Sequence, residues 1–88
     1  MKILISKKAY KEISKLSLKM QEVTANVLEE IIESENIEQV VNAKKMRGHS
    51  SAYKIWLSGE YRMGLFVKDN IAYITTVKLR STIYNTFP

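Results

Sequence analysis

Three runs of alternating apolar residues, separated by very short turns, constrain most of what this chain can become. Ala52–Leu57, Tyr61–Lys68 and Ile71–Val77 read as strands. Gly59 marks the first turn and Asp69-Asn70 the second. Loops this short join antiparallel neighbours, so the three strands form a meander. Burial decides the register of the first hairpin. A two-residue loop at Gly59-Glu60 would pair Ser58 with Tyr61. It would place Tyr53, Ile55 and Leu57 on the opposite face from Tyr61, Met63, Leu65 and Val67. A three-residue loop, Ser58-Gly59-Glu60, pairs Leu57 with Tyr61 and brings both apolar sets to one face. The expectation is therefore a three-residue or bulged turn, with Gly59 at positive φ. The other face collects Lys54, Trp56, Arg62, Gly64 and Phe66, where Gly64 leaves room beside Trp56 for a ligand. The third strand is undecided: Ala72, Ile74 and Thr76 share one face, and Ile71, Tyr73, Thr75 and Val77 the other.

Upstream, Lys2–Ser6 reads as a short strand, with Ser6 placed to cap a helix. From Lys7 to about Leu18 the apolar residues Ala9, Tyr10, Ile13 and Leu16 follow helical spacing. A second helix runs from about Lys19 to Ser34, with Met20, Val23, Val27, Leu28, Ile31 and Ile32 as its apolar stripe. The short polar junction near Ser17–Lys19 implies an antiparallel helical hairpin. Glu35–Arg47 is a connection with a further helical turn at Ile37–Val41. The fold class expected is α+β: one domain over residues 1–88, with an N-terminal strand and an antiparallel two-helix hairpin packed on one face of a small antiparallel sheet.

A chain of 88 residues buries only about 60–65% of its unfolded surface, so its core is marginal and a stable partner would help it. It has no cysteine, which rules out disulfides and thiolate metal sites and fits a reducing compartment. No apolar run approaches the length of a membrane span, and the apolar stretch in MKILISKKAY is too short for a signal peptide. The expected location is the cytoplasm of a microbe. Charge is segregated. Residues 1–43 carry six Lys and seven Glu, a net of −1. Residues 44–88 carry five Lys and three Arg against one Glu and one Asp, a net of +6. Cations on a rigid sheet without carboxylates beside them suit a phosphate-rich ligand.

The sheet face with Lys54, Trp56 and Arg62 is the candidate site, because aromatic rings stack on bases while Lys and Arg meet phosphates. The competing reading is a second small core closed by Trp56 and Phe66, with Lys54 lying over it. Lys7, Lys11, Lys15 and Lys19 recur every fourth residue, either as a solvated face or as a phosphate contact. His49, the lone histidine, reads as a loop residue without a partner. No metal-ligand spacing and no phosphate-cradling glycine loop exist, and no cofactor is expected.

These residues resemble a family. Lys44-Lys45-Met46-Arg47-Gly48, Tyr53-Lys54-Ile55, Gly59-Glu60-Tyr61-Arg62-Met63, Val77-Lys78-Leu79-Arg80 and Ile83-Tyr84 are similar to the RelE/ParE superfamily of toxins from type II toxin–antitoxin modules. The order of elements is similar over nearly the whole chain. The RelE-like branch implies a ribosome-dependent mRNA endonuclease that cleaves without metal by attack of the RNA 2′-hydroxyl. By position, the resemblance makes Lys54 the group that deprotonates the 2′-hydroxyl. It makes Arg62 and Arg80 the charge stabilisers, and Tyr84 the residue that stacks on or orients RNA. Lys44, Lys45, Arg47, Trp56 and Lys78 would bind RNA. The implied partners are a cognate antitoxin, the ribosome and mRNA, with no membrane. The chain departs from the pattern at Trp56, where that branch has a second lysine, and in the short gap from Arg80 to Tyr84. A ParE-like inhibitor of DNA gyrase and a non-catalytic RNA- or ribosome-binding module are the alternatives.

Overall fold

In the computed structural model, which describes Met1–Pro88, the meander forms the middle of a five-stranded sheet. The strands are β1 (Lys2–Ile5), β2 (Ala43–Lys45), β3 (Ala52–Ser58), β4 (Tyr61–Lys68) and β5 (Ile71–Leu79). Their order is β1-β5-β4-β3-β2. The strand β1 runs parallel to β5, with Lys2 opposite Ile71 and Ile5 opposite Ile74. All other pairings are antiparallel.

The helices are α1 (Lys7–Ser14), α2 (Leu18–Glu33) and α3 (Arg80–Thr86), with a 3₁₀ turn at Ile37–Gln39. Ser6 caps α1 by accepting a hydrogen bond from the Ala9 amide at 3.0 Å. Ser17 caps α2 through the Met20 amide at 3.2 Å. The first helix ends at Ser14, short of the expected Leu18. The Lys15 amide already bonds back three residues to Glu12, and Ser17 is extended in order to cap α2. Leu18 is consequently exposed. On α2 the buried residues are Thr24 and Ile31. Thr24 satisfies its hydroxyl on the Met20 carbonyl at 2.7 Å, while Ile32 of the expected stripe points out and is half exposed.

The hairpin register matches the burial argument. Ile55 pairs with Met63 and Tyr53 with Leu65, and all four belong to the main core. The turn takes the bulged one of the two expected forms. Ser58 pairs with Tyr61, so a two-residue loop closes the hairpin, and a bulge at Leu57 absorbs the extra residue. Gly59 does not adopt the expected positive φ, because this turn, unlike an unbulged two-residue hairpin, is relieved by the bulge at Leu57. The second turn has left-handed Asp69 and Asn70, with φ of 52° and 59°, as a tight two-residue hairpin requires.

A second irregularity settles the face of β5. Gly64 pairs with Thr76 but Leu65 with Ile74, leaving an extra residue on β5. The slip lets Ile74 and Val77, three residues apart, both enter the core under α1 and α2. The Glu12 carboxylate fastens α1 to this point, accepting from the Thr76 hydroxyl at 2.7 Å and the Val77 amide at 3.1 Å.

Candidate nucleic-acid interface

On the face away from α1 and α2, strand pairing lays the polar residues in rows. Lys44, Lys54 and Gly64 lie side by side on β2, β3 and β4. One step further, Trp56, Arg62 and Lys78 lie side by side on β3, β4 and β5. One step the other way, Ala52 lies opposite Phe66. The alternation of a strand places all of these on one face.

The short α3 packs on this face. Ile83 and Phe87, one helical turn apart, close a small core with Ala52, and Met46 and Phe66 pack against it. The Phe66 and Phe87 rings lie 5.2 Å apart at a tilt of 58°. The expected space beside Gly64 is filled by this core. A Cβ on Gly64 would stand 2.9 Å from Cγ of Phe87, so the glycine makes room for α3 and not for a ligand. Phe66 thus belongs to a second core, while Trp56 stays outside it, about half exposed.

Docking α3 there brings Tyr84 onto Lys54. The Lys54 ammonium donates to the Tyr84 hydroxyl and lies 4.2 Å from the ring centroid. That hydrogen bond holds the Tyr84 phenol below its ordinary value. Partial burial pushes the other way, and the charges of Lys54, Arg80 and Arg62 add to the lowering. The four residues proposed for chemistry are therefore close enough for three cations to act on the fourth.

Lys44, Lys45, Met46, Arg47, Lys54, Trp56 and Tyr84 line a cleft of about 490 Å³ that contains no carboxylate. A second hollow adjoins it through Lys45, Met46 and Arg47 and continues along Gly48, His49 and Ser50. The remaining residues behave differently. Arg80 is exposed at the start of α3, its backbone amide bonded to the Glu60 carbonyl at 2.6 Å. Lys78 turns away to Glu12, at 4.0 Å, and to the Thr86 hydroxyl at 3.3 Å. Arg62 is buried, 3% exposed, with its guanidinium carbon 4.5 Å from the Trp56 ring centroid. Sequence reasoning missed Met46 as a lining residue and α3 as the element that delivers Tyr84. The signal for α3 was the Ile83/Phe87 pair at helical spacing.

No protein-family model matches the sequence, and no curated protein matches it. Solved structures do. The RelB–RelE antitoxin–toxin complex from Methanococcus jannaschii matches with a TM-score of 0.80 and 25% identity, over 97% of this chain and 99% of that one. The archaeal RelE–RelB complex from Pyrococcus horikoshii matches at 0.75 with 19% identity, over 92% and 96%. The YoeB dimer from Staphylococcus aureus matches at 0.72 with 21% identity, over 89% and 94%.

Proposed function

We propose that this chain, a RelE-like type II toxin by its fold, is an mRNA endonuclease that acts on the ribosome and is restrained by a cognate antitoxin. The observation that carries the reading is the cleft between Trp56 and Tyr84, lined by four cations and no acid. Phosphates meet the cations and unpaired bases meet the rings.

The reaction joins the RNA 2′-oxygen to the adjacent phosphorus and breaks the bond from phosphorus to the 5′-oxygen. A cyclic phosphate and a 5′-hydroxyl result. One proton leaves the 2′-hydroxyl and one reaches the departing oxygen. Lys54 accepts the 2′-proton through the deprotonated form of its amine, and Tyr84, in direct contact with it, orients the RNA. Water protonates the departing 5′-oxygen. Arg80, exposed beside them, supplies charge to the pentavalent phosphorus and to the leaving oxygen, and Arg62 adds its field from beneath. The antitoxin would be acidic in the segment that covers this cleft, since the cations there have no partner acid.

Two features favour a second reading, a binder or gyrase-directed toxin without cleavage. Trp56 replaces the second ammonium, and Arg62 is turned inward. Induction in bacteria separates the readings. The expected result is growth arrest with new primer-extension stops inside translated codons. Growth arrest with intact mRNA and inhibited gyrase supercoiling would replace the nuclease by the gyrase poison. Intact mRNA with the chain bound to ribosomes would leave only the binding module.

A further inference from the structure

We propose that Arg62 is a positioning residue which holds the Trp56 ring, and that Trp56 is the wall of the cleft on which an unpaired RNA base stacks. The inference rests on the RNA reading above and divides the labour within it: charge from the rim, stacking from the Trp56 wall.

The geometry around Arg62 is that of a fixed strut. Its three hydrogen bonds are all made by Nη1, which donates to the carbonyls of Ser58, Gly59 and Tyr61 at 3.0, 3.1 and 2.9 Å. These carbonyls belong to the β3–β4 turn, where the bulge at Leu57 turns the backbone. The Nε atom is buried without a partner. To reach a phosphate, Arg62 would have to leave three carbonyls and come out from under the indole. The unmatched Nε is a cost of the buried pose, set against the three Nη1 bonds and the contact with the indole.

What the strut supports is Trp56, directly opposite in the strand register. The guanidinium lies against the ring, a cation–π contact made in a buried setting. The rest of the indole, about half exposed, lines the cleft with Tyr84, Lys54 and the β2 cations. An exposed aromatic fixed from behind, with cations along the rim, is an arrangement that accepts a base without choosing its identity.

Trp56 is the chain's one tryptophan, so its fluorescence reports on this position alone. The full chain is titrated with a short dye-labelled single-stranded RNA carrying 2′-O-methyl groups, which blocks cleavage. Anisotropy of the dye and quenching of the indole are read together. The expected result is quenching that saturates with the anisotropy. Trp56→Ala should weaken binding about tenfold, and Trp56→Phe should restore most of the loss. Arg62→Gln should lose the quenching and weaken binding without changing the slope of log affinity against log salt. It should add nothing to Trp56→Ala. A slope reduced by about 0.7 in Arg62→Gln would make Arg62 a phosphate ligand and overturn its positioning role. Binding by anisotropy with unquenched wild-type fluorescence would overturn the stacking and leave the RNA reading intact. No anisotropy change at all would overturn the RNA reading itself. Where Arg62→Gln fails to fold, Arg62→Lys is read in its place for the same loss of quenching at unchanged salt slope, and the wild-type and Trp56 measurements decide the stacking in either case.

Discussion

Lys44 and Lys54 are directly opposed on neighbouring antiparallel strands, a placement that costs stability. No carboxylate lines the cleft to relieve it. Folding alone would select against such a pair, which supports the anionic ligand proposed above. Lys44→Glu should therefore raise stability by about 0.2–1 kcal/mol in urea unfolding while sharply weakening RNA binding. A variant that is both less stable and equally able to bind would refute this. Tyr84 offers a second test. The Lys54 hydrogen bond lowers its pKa from the ordinary 10.0, whereas burial and then Glu38 raise that of Tyr53. The signs oppose. The Tyr84 contribution is fully present above its unfolded pKa and is lost as pH falls through the folded value. Tyr53 stabilises below its unfolded pKa and loses that as pH rises through the folded value. In an alkaline absorbance titration Tyr84 should ionise first and Tyr53 last, and Lys54→Met should delay the first step. An unchanged first step in Tyr84→Phe would show that another tyrosine leads.

At the level of elements, the site depends on α3, and α3 depends on Gly64. Alanine there would meet the Phe87 ring at 2.9–3.0 Å. Gly64→Ala should cost about 1–3 kcal/mol by overpacking and lift Tyr84 from Lys54. Cleavage should then fall further than RNA binding does, and Tyr84 should titrate closer to its ordinary value. Full cleavage in Gly64→Ala would detach α3 from the chemistry. The same elements mark where the sequence was readable. Alternation and burial gave the faces of β3 and β4, because a wrong register exposes Ile55 or Met63. They could not give β2, since Ala-Lys-Lys has no apolar rhythm and becomes a strand only by pairing with β3. Nor could they give α3, whose seven residues continue directly from β5 and whose apolar face is only Ile83 and Phe87. Of the site, Lys54, Trp56 and Arg62 were legible as residues of one face. That Arg62 lies under Trp56, bound to the turn, needed the bulge at Leu57, which spacing does not reveal.

For the molecule as a whole, the question is which of its 14 lysines and arginines meet a polyanion. One ion pair exists, Lys78 with Glu12 at 4.0 Å, so almost none of the positive charge is internally neutralised. Two surfaces compete. The cleft gathers Lys44, Lys45, Arg47 and Lys54 beside two aromatic rings. The α1 face carries Lys7, Lys11 and Lys15 with no cleft between them, and Tyr10, Ile13 and Ser14 border instead a hollow toward α2. Each phosphate neutralised on a single strand contributes about −0.7 to the slope of log affinity against log salt, so four cleft cations give about −3. Lys44→Gln with Lys45→Gln should bring the slope to about −1.5, whereas Lys11→Gln with Lys15→Gln should leave it near −3. A slope that falls only with the α1 pair would move the nucleic-acid surface to the helices. The cleft cations would then belong to the antitoxin interface, and the α1 lysines would cease to be a solvated face.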